Sequence, residues 1–244
     1  MSKDRFIPAD ATGMSTLKSM RSADRLNAWI FMMIRPYMAG RILEVGSGIG
    51  NISSQLVRHG ISLTLSDYSD EYCSYLKKRF SSEPLIDAVI KIDLADKDFG
   101  RTYARLLGSF DRVFALNVIE HIQDDGLAIA NCHSLLARGG QLILLMPAYQ
   151  FLYNDYDRQL GHYRRYSRRS MESLLSTQFA VVRTWYYNLG GIIGWFVFGT
   201  IFRGKQIKGW QMRAYNALVG LFRLVDKAVF NRVGLSVLGV GKKD

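Results

Sequence analysis

Cysteine and proline are scarce in this chain, with two cysteines, Cys73 and Cys132, and four prolines among 244 residues. Two isolated cysteines build neither a disulfide framework nor a metal-ligand spacing, and they point to a reducing compartment. The opening residues, MSKDRFIPADATGMS, have no apolar core, so a secretory signal is not expected and the cytoplasmic side is. One stretch without charge, Thr184 to Phe202, is 19 residues long. That approaches the ~20 a membrane-spanning helix requires, but its first part is needed for a strand. Acids are rare in the last two fifths: residues 149–244 hold ten of the eleven net positive charges. Such asymmetry calls for an anionic partner: nucleic acid, a phosphate-bearing substrate or an acidic membrane surface. Hydrophobic residues at 48% and charged residues at 22% exclude disordered and collagen-like classes, and the length suits one decorated α/β domain.

What is present is an alternation of strands and helices. Arg41 to Val45 reads as a strand, followed by the loop Gly46-Ser47-Gly48-Ile49-Gly50 and a helical run ending at Gly60. Further strands are expected at residues 62–66, 88–92, 112–116 and 141–146, with helices over 69–80 and 124–137. This spacing predicts a parallel sheet with helices on both faces, whose ligands lie at the carboxyl ends of the strands. Those ends carry the unusual residues. Glycines at 46, 48 and 50 allow close backbone approach to a ligand. Asp67 ends the second strand where a carboxylate can accept both hydroxyls of a ribose, Asp93 ends the third, and Asn117 the fourth. A dinucleotide fingerprint, G-x-G-x-x-G, would need its last glycine at Asn51, so the loop departs from it.

With Glu44 two residues before Gly46, ILEVGSGIG resembles the first motif of class I S-adenosylmethionine-dependent methyltransferases. Asp67 then matches that family's ribose-binding acid, Asp93-Leu94 its adenine-facing pair, and Asn117-Val118-Ile-Glu120-His121 the "EH" segment of quinone-type and small-molecule members. LLARGGQLILLMPA matches the helix-turn-strand that follows. The likeness covers roughly residues 25 to 148. It implies a seven-stranded, doubly wound, mostly parallel sheet with an antiparallel last strand, and S-adenosylmethionine as cofactor. The implied cofactor residues are Glu44, Gly46, Ser47, Gly48, Gly50, Asn51, Asp67, Tyr68, Asp93, Leu94, Asn117 and Val118. Glu44 inside an apolar strand end would be costly without hydrogen bonds.

After Pro147 the chain reads YQFLYNDYDRQLGHYRRYSRRSMESLL, leaving the fifth strand over the place where a methyl acceptor would lie. Tyr153, Tyr163, Tyr166 and Arg168 are its candidate substrate contacts, and Arg164 and Arg165 its candidate anion clamps. His121 and His162 are candidate bases for a hydroxyl acceptor. No metal ligand set is readable. His59 and His133 fall on outer helices, and both cysteines lack activating neighbours.

The sixth strand is expected near 179–186 and the seventh near 235–239. Between them lies an insertion, residues 189–233, apolar from Leu189 to Phe202 and then cationic, with seven Lys/Arg against the single acid Asp226. Residues 209–231 predict an amphipathic helix, with Leu218, Phe222, Val225 and Val229 on one side and Arg213, Asn216, Gly220, Arg223 and Lys227 on another. Because the sixth strand is parallel and the seventh antiparallel, the insertion must leave and return at the active-site edge. The domain therefore comprises residues 25–188 and 234–244, residues 1–24 lie over the cofactor site, and the insertion is a docking lid. The physics of monotopic anchors favours an interfacial wedge on an anionic membrane surface over a span.

The basic segment and hydrophobic insertion together resemble bacterial methyltransferases of cell-envelope and lipid-linked saccharide pathways. That resemblance implies an enzyme peripheral on the inner face of the cytoplasmic membrane. Its acceptor would be a lipid or lipid-linked molecule such as a polyprenyl phosphate. The alternatives are a soluble quinone-type O-methyltransferase, a non-catalytic cofactor-binding scaffold and an RNA methyltransferase. The amino-methylating tetrapeptide N-P-P-Y is absent after the fourth strand, and no nucleic-acid module surrounds the basic segment, so nucleic acid is disfavoured. Nothing in the sequence sets the oligomeric state.

Overall fold

A computed structural model describes residues 10–196 and 209–244. In chain order the elements are α1 (Asp10–Arg21), α2 (Asp24–Ile34), β1 (Ile42–Val45), α3 (Ser53–Arg58), β2 (Leu63–Asp67), α4 (Asp70–Arg79), β3 (Ile86–Lys91), α5 (Phe99–Thr102), β4 (Phe110–Leu116), α6 (Asp125–Leu135), β5 (Leu136–Pro147), α7 (Asp155–Gln159), α8 (Arg168–Leu175), β6 (Ala180–Tyr187), α9 (Leu189–Trp195), α10 (Gly209–Ala228) and β7 (Ser236–Lys242). One seven-stranded sheet runs β3-β2-β1-β4-β5-β7-β6. Only β7 is antiparallel to its neighbours, pairing Leu145 with Leu238 on one side and Trp185 with Leu238 on the other.

Local chemistry sets these elements. The four residues of β1 are all buried, as a central strand covered on both faces requires. Helix α4 begins where the Ser69 hydroxyl accepts the Tyr72 N–H, carries Asp70 and Glu71 in its first turn and ends on Lys77, Lys78 and Arg79. Both ends complement the helix dipole. Two apolar layers sandwich the sheet. One includes Val113, Leu144 and Met171, and the other Trp29, Phe31, Leu65 and Phe114. The strands fall within two residues of their predicted starts, except β5. That strand begins at Leu136 and runs through Gly139 and Gly140, which sequence reading took as the stop of the preceding helix.

The insertion leaves after β6 and rejoins at β7, whose Ser236 pairs with Tyr187. Its root is held by Asp226 of α10, a buried carboxylate accepting the backbone N–H groups of Asn188 and Leu189 (2.8 Å for Leu189). Asn188 adopts φ +71° and caps α9 through the Gly191 N–H at 3.0 Å. Helix α10 lies on α2, with Met212, Tyr215, Val219 and Phe222 against the second core layer. Its Asn216 Oδ1 accepts the Arg25 and Leu26 N–H groups at 2.9 and 3.2 Å.

This packing corrects the expected faces of the helix: Asn216 points inward and Leu218 outward. Leu218, Leu221, Leu224 and Trp210 are 49–65% exposed, forming an apolar stripe on the solvent side. No helix among the described residues is long and apolar enough to cross a membrane. The apolar run from residue 197 to Phe202, and Arg203, Lys205 and Lys208, lie outside the described residues, as do residues 1–9 of the N-terminal segment.

Candidate active site

Strand β1 delivers the chain into the loop 46–50, and the backbone there is set by close contacts. Gly46 has φ +71°, and a Cβ on it would lie 2.4 Å from Val118 Cγ2 in the turn after β4. Gly48 has φ +55° and donates its N–H to Asp67 Oδ2 at 2.9 Å. Both positions therefore need glycine, for conformation and for space. The other Asp67 oxygen accepts the Ser69 N–H at 3.0 Å. Ser47 is buried and donates its N–H to Ser66 O at 2.8 Å. Tyr68 follows Asp67 at the same strand end, and Gly50 carries the chain toward α3 at φ +76°.

Glu44 is buried under the loop with the Ser53 hydroxyl donating to it. Burial pushes its pKa up to about 7 against the Ser53 and Ser47 hydrogen bonds, and the Asp67 charge adds to the rise. Asp67 is raised as well, by burial. Two buried acids thus converge on a glycine loop. This is an arrangement that a ligand bearing a positive charge and hydroxyl donors would relieve.

Asn117, at φ +54°, closes β4 with its N–H on Leu145 O at 2.7 Å. Asp93 is exposed two residues beyond β3 and caps its own turn through the Ala95 N–H at 2.9 Å, whereas Leu94 is core. Helix α1 covers the loop. Leu17 Cδ1 would meet a Gly48 Cβ at 3.0 Å, and its carbonyl accepts from Asn51 Nδ2 at 3.0 Å. The Asn51 Oδ1 beside it is buried without a hydrogen-bond partner. This strand-end set fits S-adenosylmethionine: hydroxyl acceptors at Asp67, a close-approach loop at Gly46 and Gly48, and an unmatched acid at Glu44.

A second cluster stands next to it. The turn Ile119–His121 follows β4, and the segment after β5 folds back onto it, with Tyr163 N–H on Glu120 O at 2.8 Å. His121 and His162 meet edge to face with ring centroids 4.6 Å apart. Ligand atoms of Glu120, His121 and His162 all lie within 4.8 Å of one another, a set that could also hold a cation. Glu120 is fully buried, and burial pushes its pKa up to about 8, so it is a neutral acid at pH 7. Burial, with His162 alongside, pushes His121 down to about 3 and keeps it uncharged. His162 Nδ1 bonds Asp157 Oδ1 at 2.8 Å, and Arg165 meets the same carboxylate at 2.9–3.0 Å. Burial alone would raise Asp157, but the His162 bond and the Arg165 charge outweigh it, and its pKa lies below the ordinary value. An ionised carboxylate only accepts, so His162 carries a proton on Nδ1.

Several expectations need correcting. Arg165 is not an open anion clamp: its side chain is 1% exposed and engaged by Asp157 and by Ala148 O at 3.1 Å. Arg164 remains partly open while bonded to Asp125 at 2.8 Å, and Arg168 lies on the surface near Glu172 at 3.6 Å. Tyr166 is buried with its hydroxyl on Asp125 at 2.8 Å, so it is a packing residue rather than an acceptor contact. Tyr153 donates its hydroxyl to His162 O at 2.7 Å, and Tyr163 is 45% exposed at the rim. His121, neutral and buried, is a poor base; His162, oriented by a carboxylate, is the better one. Asp157 was not singled out by sequence reading, and Glu120 was read only as part of the segment after the fourth strand. Asp157 looked like one acid among basic residues, and no local pattern announces that both it and its partners are buried. His59 stacks on Phe31 and His133 meets Phe179 edge to face, while both cysteines are buried free thiols, Cys132 pushed up to about 12 by burial.

Residues 43–144 match the family described as "Methyltransferase domain". Over 115 residues the chain is 30% identical to "Ubiquinone biosynthesis O-methyltransferase" of Xanthomonas euvesicatoria pv. vesicatoria, covering 47% of this chain and 46% of that protein. The matched region thus spans about half the length of that curated relative. Among solved structures, "a SAM dependent methyltransferase from Archaeoglobus fulgidus" aligns over 89% of this chain and 94% of its own, with TM-score 0.57 and 14% identity. Haemonchus contortus phosphoethanolamine N-methyltransferase 2 with bound S-adenosyl-L-methionine aligns over 89% of this chain and 52% of its own, with TM-score 0.59 and 19% identity. At these identities the structures speak for the fold alone. Glycine loop, buried acids and sheet order agree with that match: residues 43–144 carry a methyltransferase domain, set in a seven-stranded sheet of the class I S-adenosylmethionine-dependent methyltransferase fold.

Proposed function

We propose that the chain methylates an oxygen of an amphiphilic, phosphate-bearing acceptor, a polyprenyl-phosphate lipid or lipid-linked saccharide, presented at an anionic membrane surface. The observation that carries this reading is the exposed apolar stripe of α10, Trp210, Leu218, Leu221 and Leu224, on an insertion rooted at the active-site end of the sheet. Arg213 and Lys227 border the stripe, as an interfacial helix on anionic lipid requires. Ile193 and Phe196 on α9 and Phe151 after β5 extend the exposed apolar surface.

S-adenosylmethionine, when bound, supplies an electrophilic methyl carbon. The residues that would hold it are Gly46, Gly48, Glu44, Asp67, Asn51 and the strand-end residues Asn117 and Val118, with Asp93 at the outer edge. Orientation of the two reactants can lower the barrier by ~7–11 kcal/mol. For a hydroxyl acceptor, His162 Nε2 takes the proton while Asp157 stabilises the imidazolium. Glu120, uncharged, can donate a hydrogen bond to the acceptor, and Arg164 and Arg168 are the cations still open to a phosphate. Water is excluded by α1 and by the segment 148–166 folded over the turn at Glu120.

A second reading, a quinone-type small-molecule O-methyltransferase, is favoured by the 30% identical stretch shared with the ubiquinone relative. Incubation with methyl-labelled S-adenosylmethionine and fractionated bacterial lipid extract separates the readings. Label in an organic-soluble product that also contains phosphorus is the expected result. Label only in phosphate-free quinones or phenols would replace it by the second reading. Cofactor uptake with no labelled product from any fraction would leave a binding scaffold.

A further inference from the structure

Trp195 carries the insertion to the second cluster. Trp195, in the last turn of α9, lies with its ring centroid 4.5 Å from the Arg165 guanidinium carbon. Its indole N–H donates to Leu152 O at 3.2 Å, and its ring meets Tyr156 edge to face at 5.6 Å. Arg165 is thereby confined between the indole and Asp157, and the side chains of Arg165 and Asp157 are 1% and 0% exposed. Asp157 Oδ2 is fixed by the Asn154 N–H at 3.0 Å, so the carboxylate cannot rotate freely and Oδ1 meets His162 Nδ1 in one orientation. The chain of contacts is continuous: indole, guanidinium, carboxylate, imidazole. Stacking on a cation holds the guanidinium plane as well as its charge.

We propose that Trp195, Arg165 and Asp157 are positioning residues for His162, so that the insertion completes the active site rather than only carrying the protein to a surface. This rests on His162 being the base of the proposed reaction. A stacked, buried guanidinium keeps Asp157 ionised and aimed, and an aimed carboxylate holds one imidazole tautomer with the proton on Nδ1 of a side chain only 8% exposed. Loss of the indole would free Arg165 to rotate toward water, and His162 would then sample both tautomers.

The test reads the imidazole directly, without acceptor or cofactor. Long-range proton–nitrogen spectra at pH 8 resolve the four histidines of the chain, with His162→Gln assigning the relevant signals. The wild type should show a single His162 tautomer with the proton on Nδ1. Trp195→Phe should keep it, whereas Trp195→Ala and Asp157→Asn should give a mixture of both tautomers. Thermal melts and S-adenosylhomocysteine calorimetry on each variant report whether fold and cofactor uptake survive. If Trp195→Ala does not fold, Arg165→Lys carries the test, since it keeps the charge but loses the planar fork and should also give the mixture. A His162 tautomer unchanged in folded Trp195→Ala, or in folded Arg165→Lys, overturns the proposal, as does a wild-type proton on Nε2. Cofactor uptake absent from the wild type would instead sink the methyl-transfer reading and leave the imidazole result standing.

Discussion

At the residue scale the chemistry turns on acids kept from water. Glu120 has a folded-state pKa of about 8, against the model-peptide value of 4.5. The folded protein therefore holds this proton more tightly than the unfolded chain. Its contribution to stability is full below about pH 4.5 and is lost as pH rises through 8. Glu120→Gln, uncharged at every pH, should match the wild type near pH 5 and exceed it at pH 9 by roughly 2–4 kcal/mol. Urea melts at the two pH values would measure this; equal pH dependence in both proteins would show that Glu120 is solvated.

Glu44 makes a separate prediction. With a pKa of about 7 in the free protein, it is near half-protonated at neutral pH. A cofactor bringing a positive charge and hydroxyls to Glu44 and Asp67 favours the ionised form, so binding should release about half a proton at pH 7. Calorimetric titration in buffers of differing ionisation enthalpy counts that release. Glu44→Gln should reduce it to near zero.

At the scale of elements, the loop 46–50 and the turn after β4 form one unit, since Gly46 leaves no room between itself and Val118. Gly46→Ala must bear a left-handed φ and a Cβ only 2.4 Å from Val118 Cγ2, costing on the order of 1–3 kcal/mol if Val118 yields and more if it does not. We expect a lower melting temperature and at least tenfold weaker cofactor binding, read by thermal shift and calorimetry. Helix α10 shows why periodicity alone misassigned its faces. It has apolar residues on two sides: Met212, Val219 and Phe222 pack on α2 and the sheet, and Leu218, Leu221 and Leu224 face outward. An amphipathic pattern identifies a helix with one apolar side, but α10 carries one apolar stripe on its packed face and another on its exposed face.

The molecule as a whole joins a nearly neutral nucleotide-binding half to a basic half, which carries ten of the eleven net charges. If the outward stripe enters a lipid surface, flotation with vesicles containing anionic lipid should carry the protein upward and weaken with salt. The triple substitution Leu218→Asp, Leu221→Asp, Leu224→Asp should abolish flotation without lowering thermal stability, because these side chains are exposed. Equal flotation of both proteins would remove the anchor and leave the stripe to another partner.

The sequence by itself determined the sheet, its glycine loop and the strand-end positions of Glu44, Asp67 and Asn117. These depend on local pattern: short apolar runs, turn residues and a spacing fixed by the strand–helix repeat. The tertiary structure alone decided what the second cluster is. Glu120 and His121 come from one turn, and Asp157, His162 and Arg165 from a segment after the next strand, with Trp195 from the insertion. Their pairing and desolvation arise only when these three pieces pack together. Burial makes Glu120 an acid at neutral pH and engages Arg165 with a carboxylate, and the bond to Asp157 sets His162 apart from His121. Desolvation is a property of what lies around a side chain in space, and neighbours in the chain do not specify it.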